Sequence, residues 1–297
     1  MLLWGIRRMG ALPIDVDVRG GADQILKFAQ LTKPVCLATT PSLAEFLIKR
    51  TPQSLGVGVG DLGFKSLLLC GEPGPGIPEV KKRLESAYEA RVYDYWAPGG
   101  LGYGMSCDSD DYHGLHCYAP DYNTFQDDLV DPFTKEPIDI VDGVEGELVH
   151  TSLERDATPM IRYAYGDIVK VITHECPGCG FKGKRLKFVG RSDDMVIVKG
   201  TNIYPASIQE IVASLYPRTT GLIKLVLDEP PPRVVPPLKV KVEQGKDVTA
   251  DQLEALAAEI KNLCKAKLKI NPEIIFVPSG GFETTLRKRE IFEKTYL

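Results

Sequence analysis

The stretch Gly190-Arg-Ser-Asp-Asp-Met-Val-Ile-Val-Lys-Gly-Thr-Asn-Ile-Tyr-Pro205 divides the sequence into two parts of different character. Before it, short apolar runs alternate with amphipathic helical runs, and after it comes a shorter block with another order of elements. Within it, the acidic pair Asp193-Asp194 precedes a short apolar strand, Met195 to Val198, which stops at Lys199-Gly200. We interpret this stretch as a hinge between two domains, although a simple hairpin loop has the same local pattern.

The composition of the whole chain limits its class. The 297 residues are 43% hydrophobic, which is enough to bury two cores. A formal charge of −4 gives no electrostatic reason to expect nucleic acid as a partner. The first residues do not read as a signal peptide, and no apolar run approaches the length of a membrane span. We therefore expect a cytoplasmic protein that contacts neither nucleic acid nor membrane.

Strand and helix patterns alternate in the first third of the chain. Apolar strands are predicted at Val35 to Thr39, Lys65 to Leu69 and Val92 to Trp96, with a helical pattern before each of them. Such alternation favours a parallel sheet covered by helices, whose ligands lie at the carboxyl ends of the strands. The glycine-rich loops Gly71 to Gly76 and Ala97 to Gly104 both fall there. Each loop alone is typical of a tight turn, but two at one end of a sheet indicate a site.

Further strands and helices complete the predicted fold. Strands at Glu147 to Thr151 and Met160 to Tyr165 form a strand-rich subdomain, and Pro230 to Pro237 is expected to be an exposed loop. After the hinge, two helical patterns and several strands predict a small α+β domain. The fold class is thus α/β: a partial large domain with a parallel sheet and a strand-rich subdomain in residues 1–190, and a small mobile domain in residues 191–297.

A group of cysteine and histidine residues indicates a metal site. Cys176-Pro-Gly-Cys179 is a tight knuckle that places two thiolates on one side of a turn, as a tetrahedral zinc site requires. A second cluster, at residues 107–117, supplies the other ligands. We prefer structural zinc to free thiols, with His113 or Cys117 as replacements, and the preferred ligand set is Cys107, His116, Cys176 and Cys179. Four protein ligands would close the site, so that the metal would staple loops and would not activate water.

Four stretches form a series in the sequence: Gly71-Glu72-Pro73, then Gly146 to Val149, then Pro159-Met-Ile-Arg-Tyr-Ala-Tyr-Gly-Asp167, then Gly190 to Pro205. In this order they resemble the phenylacetate-CoA ligase group of the adenylate-forming enzymes, and the resemblance covers essentially the whole chain. Members of the group activate a carboxylate with ATP and pass the acyl group to coenzyme A. The Cys-Pro-Gly-Cys knuckle and Gly114-Leu115-His116 resemble the metal-bearing branch of that group.

The resemblance implies the residues that bind the nucleotide. Gly71-Glu72-Pro73 would line the adenine pocket, and Trp96 stands where an aromatic side chain packs against the nucleotide. Asp167 would accept hydrogen bonds from the ribose hydroxyls, a task that suits an ionised carboxylate. Arg191 would hold the nucleotide near its phosphates, where a planar cation suits the chemistry.

The resemblance also implies the residues that act during domain movement and catalysis. Asp193 would be the pivot of the small domain, and Lys199 and Gly200 would face the coenzyme A tunnel after the rotation. Lys288 is the best candidate for the catalytic lysine near the end of the chain, while another register puts Thr285 there. The basic run around Lys288 also fits a solvated turn before a final helix.

Two features depart from the family pattern. Gly99 and Gly100 stand where the family has a hydroxyl residue and a glutamate that helps to hold magnesium. The Ser/Thr/Gly-rich loop that cradles the triphosphate is also absent, as though the N-terminal part were lacking. We therefore expect an acid–thiol ligase for aryl or arylacetyl acids that uses ATP, Mg and coenzyme A, with a zinc-stapled binding remnant as the alternative. A homodimer and a chain that supplies the missing part both stay open as partners.

Overall fold

The computed structural model describes residues 6–97, 104–117, 128–151, 157, 160–282 and 290–296 of the chain. In its first third, three strands lie parallel and are accompanied by helices. Proline occupies the first turn of two of these helices, where its missing N–H costs no intrahelical bond. The elements are β1 (Cys36–Thr39), β2 (Ser66–Leu69) and β3 (Arg91–Trp96), with α1 (Ala22–Thr32), α2 (Pro41–Leu55) and α3 (Pro78–Tyr88).

The outer edge of this parallel sheet is open. Within the described residues β1 pairs only with β2, and its residues alternate between exposed and half-buried positions. Leu31 and Val35, just before β1, are 70% and 68% exposed, whereas Leu67 and Leu69 of β2 are fully buried. An unpaired edge flanked by exposed apolar side chains is a surface that proteins normally protect.

The same sheet continues beyond β3 with antiparallel strands. The ten strands run in the order β1-β2-β3-β4-β5-β10-β9-β8-β6-β7. The strand-rich part predicted as a subdomain is therefore continuous with the parallel part. Its strands are β4 (Gly104–Met105), β5 (Leu115–His116), β6 (Asp128–Val130), β7 (Pro137–Ile138), β8 (Glu145–His150), β9 (Tyr163–Ile172) and β10 (Arg185–Arg191).

A 3₁₀ turn, Ser192–Asp194, leads from β10 into the second block of the chain, which has its own core. Two sheets form this block, in the orders β12-β11-β14 and β16-β15-β13-β17. Its elements are β11 (Val196–Val198), β12 (Thr201–Ile203), α4 (Pro205–Ala213), β13 (Thr219–Leu227), β14 (Arg233–Val234), β15 (Lys239–Gln244), α5 (Ala250–Leu268), β16 (Glu273–Val277) and β17 (Phe292–Lys294). A reciprocal capping box between Thr249 and Gln252 begins α5.

The predicted fold class is confirmed, with two local corrections. The strand expected at Met160 to Tyr165 lies at Tyr163–Ile172, so that Gly166 and Asp167 are inside the strand. Gly166 has φ +87° and accompanies a register shift in the β8–β9 ladder, which is how a glycine interrupts a strand pattern. The proline-rich loop Pro230 to Pro237 contains β14, which pairs with β11.

Strands β9 and β10 form a long hairpin that carries both groups of predicted site residues. Asp167 and Arg191 face each other at its open end, and Ile172 faces Arg185 at its loop end. The connecting residues 173–184 contain the cysteine knuckle. At about 3.4 Å per residue, the two ends lie roughly 20 Å apart.

Candidate active site and metal centre

A cleft of about 1570 Å³ lies between the large sheet and the second block of the chain. It opens at the carboxyl ends of β2 and β3, where the sequence predicted a ligand. Six of the residues predicted to bind the nucleotide line it: Gly71, Glu72, Pro73, Trp96, Asp167 and Arg191. The structure thus brings together residues from sequence positions more than 100 apart.

Asp167 is at the centre of this group. Its carboxylate is buried and accepts hydrogen bonds from Nε1 of Trp96 and Nη1 of Arg191, both at 3.1 Å. Cross-strand pairing of Asp167 with Arg191 in the β9–β10 ladder places the two side chains next to each other. Trp96 reaches the pair from the end of β3.

Arg191 also contacts the predicted pivot. Its Nε and Nη2 each donate to a carboxylate oxygen of Asp193 at 2.8 Å, so the pair is bidentate. Hydrogen bonding to Asp193 is the main reason that the pKa of Arg191 is raised. In this structure the guanidinium therefore bridges the predicted ribose-binding carboxylate and the predicted hinge carboxylate.

Glu72 makes a contact that the sequence did not predict. Its Oε2 accepts hydrogen bonds from the backbone N of Ser42 at 3.2 Å and from the Ser42 hydroxyl. Ser42 lies in the first turn of α2, where a carboxylate is favoured by the helix dipole. The other oxygen, Oε1, is buried and has no hydrogen-bond partner among the described residues.

Asp94, in the same cleft, is a residue that the sequence analysis did not single out. Its Oδ2 accepts a hydrogen bond from the Tyr112 hydroxyl at 2.7 Å. Burial raises the pKa of Asp94 to about 6, because a low-polarity environment disfavours the charged form. Its position near the carboxyl end of β3 is the feature of the sequence that could have identified it as a site residue.

Lys224 and Phe282 also line the cleft, and Nζ of Lys224 lies 5.9 Å from the centre of the Phe282 ring.

Other predicted site residues lie elsewhere. Lys199 and Gly200 form the exposed turn between β11 and β12, and they are not among the residues that line the cleft. Both have positive φ, +51° and +81°, as the central residues of a type I′ hairpin turn require. Lys288 and its alternative Thr285 lie outside the described residues, and so does the Gly99-Gly100 pair.

The four predicted metal ligands converge at the loop end of the hairpin. The ligand atoms of Cys107, His116, Cys176 and Cys179 all lie within 4.8 Å of one another, and they form the one such group within the described ranges. The alternatives His113 and Cys117 are not part of it.

The distances between these atoms fit a tetrahedral metal. Two of the sulfurs, in Cys107 and Cys176, are 4.0 Å apart, and Sγ of Cys179 is 3.3 Å from Nε2 of His116. Tetrahedral zinc with ordinary bond lengths would separate two sulfurs by about 3.8 Å and a sulfur from a nitrogen by about 3.6 Å. The residues present therefore fit zinc.

Hydrogen bonds hold the ligands of this cluster in place. Nδ1 of His116 lies 3.2 Å from the carbonyl oxygen of Gly114, so an imidazole protonated at Nδ1 would direct Nε2 to the cysteines. Burial opposes ionisation of the Cys176 thiol, but backbone amides of Cys179 and Gly178 donate to its sulfur, and the pKa is lowered overall. Burial raises the pKa of the Cys107 thiol to about 12.

Gly178, in the cysteine knuckle, lies too close to neighbouring side chains to carry a side chain of its own. A Cβ on Gly178 would lie 2.6 Å from Cδ2 of His113 and 2.7 Å from Oγ of Ser109, closer than side chains approach. Only glycine therefore lets the knuckle close against the loop that carries Cys107.

No described helix has both the length and the apolar character of a membrane span.

No family model matches the chain. Several curated proteins match the chain in sequence. A phenylacetate-coenzyme A ligase of Aromatoleum evansii is 30% identical over 273 residues, which are 91% of this chain and 60% of the relative. The chain thus spans about three fifths of the length of the curated relatives that it matches.

Solved structures of 2-hydroxyisobutyryl-CoA ligase match 98% of this chain and 61% of their own length, at 26% identity. The TM-score is 0.81 for that ligase in the postadenylation state, in complex with R3-HIB-AMP. It is 0.56 for the same ligase with 2-HIB-AMP and CoA in the thioesterification state. The chain as a whole is therefore closer to the postadenylation structure. By sequence and by fold, the chain is a homologue of the phenylacetate-CoA ligases and has the fold of the adenylate-forming CoA ligase family.

Proposed function

We propose that the chain is the catalytic part of an acid–thiol ligase that forms an acyl-CoA by way of an acyl-adenylate. In the first half-reaction a carboxylate oxygen attacks the α-phosphorus of ATP, and the bond to pyrophosphate breaks. In the second, the thiol sulfur of coenzyme A attacks the acyl carbon, and AMP leaves with the electron pair of the broken C–O bond. The observation that carries the proposal is the group Trp96, Asp167 and Arg191 in the cleft.

This group would bind the nucleotide by exchange of contacts. Asp167 would accept hydrogen bonds from the two ribose hydroxyls, and Arg191 would turn to the phosphates. The same atoms now satisfy each other, so the nucleotide would replace internal bonds at little net cost of desolvation. Gly71-Glu72-Pro73 would form the wall on which the adenine rests, with Trp96 packed against the nucleotide.

The second block of the chain would move between the half-reactions. The ion pair of Arg191 with Asp193 joins the nucleotide group to the pivot, so phosphates that recruit Arg191 would release Asp193. Rotation about Asp193 would carry the exposed Lys199-Gly200 turn to the cleft, where it would face coenzyme A. The higher similarity to the postadenylation state supports the present arrangement as that of the first half-reaction.

Two further groups would act in the first half-reaction. Lys288 would neutralise charge on the carboxylate and on the developing transition state. Magnesium, when bound, would neutralise phosphate oxygens, and this chain offers Gly99 and Gly100 where the family has a glutamate ligand. Ligands for magnesium would then come from the nucleotide, from water or from a segment supplied by another polypeptide.

Structural zinc at Cys107, His116, Cys176 and Cys179 is the second part of the proposal. The spacing of the donor atoms supports it, and four protein ligands leave no position for a reacting water. Zinc would fix three separate segments of the chain to one another. Its contribution would therefore be to stability.

The acid is proposed to be an aryl or arylacetyl acid such as phenylacetate. The curated relatives named phenylacetate-coenzyme A ligase support this class. The similar solved structure is a ligase for a small hydroxy acid, 2-hydroxyisobutyrate. A short branched acid is therefore the second class of substrate to test beside the aryl acids.

ATP–pyrophosphate exchange tests the proposal directly. The purified chain is incubated with magnesium, labelled pyrophosphate and, in separate reactions, phenylacetate, benzoate, 2-hydroxyisobutyrate or a fatty acid. Exchange with one class above the no-acid background supports adenylation and identifies the acid. The matched variants are Asp167→Asn, which should abolish exchange, and Asp228→Asn, an exposed aspartate paired with Lys239, which should leave it unchanged.

A non-catalytic, zinc-stapled binding remnant is the alternative function. The glycines at 99 and 100 favour it, because they remove a magnesium ligand. AMP binding by calorimetry without any exchange would support the remnant. Exchange that appears only when the part of a relative, such as the Aromatoleum evansii ligase, that this chain does not match is added would instead support a partner that completes the enzyme. The open edge of β1 favours such a partner.

A further inference from the structure

The side chain of Arg185 has a position unusual for an arginine. It is 1% exposed and is the largest of the fully buried side chains among the described residues. Arg185 begins β10, directly after the loop that carries the cysteine knuckle, and it faces His116 across the β5–β10 ladder. A buried guanidinium is costly unless its hydrogen bonds and its charge are both compensated.

The hydrogen bonds of Arg185 join two of the three segments that supply metal ligands. Nη1 donates to the carbonyl oxygen of His113 at 2.6 Å, and Nη2 donates to the carbonyl oxygen of His174 at 2.9 Å. His113 is three residues before the ligand His116, and His174 is two residues before the ligand Cys176. The planar guanidinium of Arg185 therefore fixes the distance between the strand that carries His116 and the knuckle that carries Cys176 and Cys179.

Among the described residues, no carboxylate balances the charge of Arg185. Both of these hydrogen bonds of its guanidinium end on neutral carbonyl oxygens, and no ion pair with a described carboxylate is formed. Its Nε is buried without a hydrogen-bond partner there. Arg185 lies opposite the predicted ligand His116 in the β5–β10 ladder, so the cysteine cluster around His116 is a nearby group that can carry negative charge. Zinc with three thiolates and one neutral imidazole has a net charge of −1, which one guanidinium cancels.

We propose that Arg185 is the positioning residue of the metal centre and the counter-charge of a thiolate-rich zinc complex. The inference rests on the proposed zinc site and adds a residue that is not itself a ligand. It explains why the protein buries an arginine at this position: the guanidinium and a metal complex in which three of the four ligands are buried neutralise each other. Loss of the charge should therefore weaken zinc retention even where the four ligands are intact.

The test uses the full chain with Arg185→Met, Arg185→Lys and the control Arg218→Met, which removes an exposed arginine paired with Glu259. Zinc content is measured by elemental analysis, and zinc release is followed with a chromogenic chelator. We expect one zinc per chain in the unaltered protein and in Arg218→Met. Release should be about 10–100-fold faster in Arg185→Met, the usual effect of removing an outer contact of a metal site. Arg185→Lys, which keeps the charge but not the fork, should fall between them.

A release rate in Arg185→Met equal to that of the unaltered protein overturns the inference while leaving the zinc site standing. Absence of zinc from the unaltered protein overturns the zinc proposal itself. If Arg185→Met does not fold, Arg185→Lys decides the question, with cobalt substituted for zinc. A cobalt absorption spectrum unchanged in Arg185→Lys, together with unchanged release, contradicts a role in positioning the ligands.

Discussion

The two ends of the β9–β10 hairpin hold polar groups in opposite ways. At the loop end, three cysteines and a histidine direct their ligand atoms at one another from three segments of the chain. At the open end, Trp96, Asp167, Arg191 and Asp193 form a chain of hydrogen bonds in which each charged group already has a partner. The first arrangement is one that a bound cation would stabilise, and the second is complete without a ligand.

This difference indicates what each end can do. A group of thiols at van der Waals distance gains most from an ion that stays bound, so the loop end is suited to a permanent structural role. Arg191 and Asp193 form a partly exposed ion pair that can exchange partners at low cost, so the open end is suited to a ligand that comes and goes. One hairpin would thus provide a fixed anchor and an exchangeable site, roughly 20 Å apart.

Removal of a knuckle thiol should have the largest effect. In Cys176→Ser we expect loss of the metal and a decrease in the free energy of unfolding on the order of 3–5 kcal/mol. The reason is that the three segments lose the metal ion that joins them. The melting temperature should fall by roughly 10 °C. Calorimetry with elemental analysis measures both. Cys36→Ser is the control, since Cys36 is exposed and outside the cluster. A metal-free variant with an unchanged melting temperature would contradict the anchoring role.

Loss of charge at the open end should weaken nucleotide binding with little effect on stability. In Asp167→Asn the affinity for AMP should fall about 100-fold, because a neutral amide accepts hydrogen bonds from the ribose hydroxyls less strongly than a carboxylate does. Titration calorimetry of this variant beside Asp228→Asn gives the comparison. The zinc content should stay the same in both. AMP binding of Asp167→Asn within twofold of the unaltered chain would remove Asp167 from the site.

Acidification should act on the cleft through Asp94. Its pKa is raised from 3.8 to about 6, so the folded state holds the proton more tightly than the unfolded state does. The associated stability is present below the unfolded pKa and is lost as the pH rises through about 6. Between pH 7 and pH 4.5 the unaltered chain should therefore gain about 2 kcal/mol relative to Asp94→Asn, which does not titrate. Urea unfolding of both proteins at the two pH values measures this, and a difference that does not vary with pH would place Asp94 in a more polar environment.

The smallest effect is expected from Trp96→Phe. The substitution keeps an aromatic ring and removes only the N–H that donates to Asp167. We expect AMP to bind about 3–10-fold more weakly, the value of about one hydrogen bond. Trp4 is the other tryptophan of the chain, so Trp4→Phe is a matched control for spectroscopic titrations, in which the AMP-dependent change should belong to Trp96.

Local signals in the sequence were sufficient for most of the first half of the fold. Apolar runs of four or five residues placed β1, β2 and β3 within one residue of their bounds. Among the strands that were not anticipated, β10, β14 and β17 have short or interrupted apolar patterns and depend on partners far away in the sequence. Pairing of β14 with β11, for example, cannot be read from Arg233-Val234 alone.

For the site, the sequence predicted residue types better than contacts. Spacing and chemistry were enough to choose the four residues that converge at the loop end, because few other cysteines and histidines were available. The contact of Glu72 with the start of α2, the bridge of Arg191 to Asp193 and the burial of Arg185 all depend on three-dimensional packing. No pattern of neighbouring residues encodes them.

The unpaired edge of β1 has a practical consequence for anyone who works with this protein. Among the described residues, one edge of β1 has no strand partner, so this edge, next to the exposed Leu31 and Val35, is a seam at which a second polypeptide can add a strand. If the remainder of a ligase is added as a separate polypeptide, the two pieces should behave as a complementation pair, with activity that depends on the concentration of both. The same seam would let copies of the chain associate with each other at high concentration, so dilution and an edge substitution such as Val35→Lys are the first remedies for precipitation.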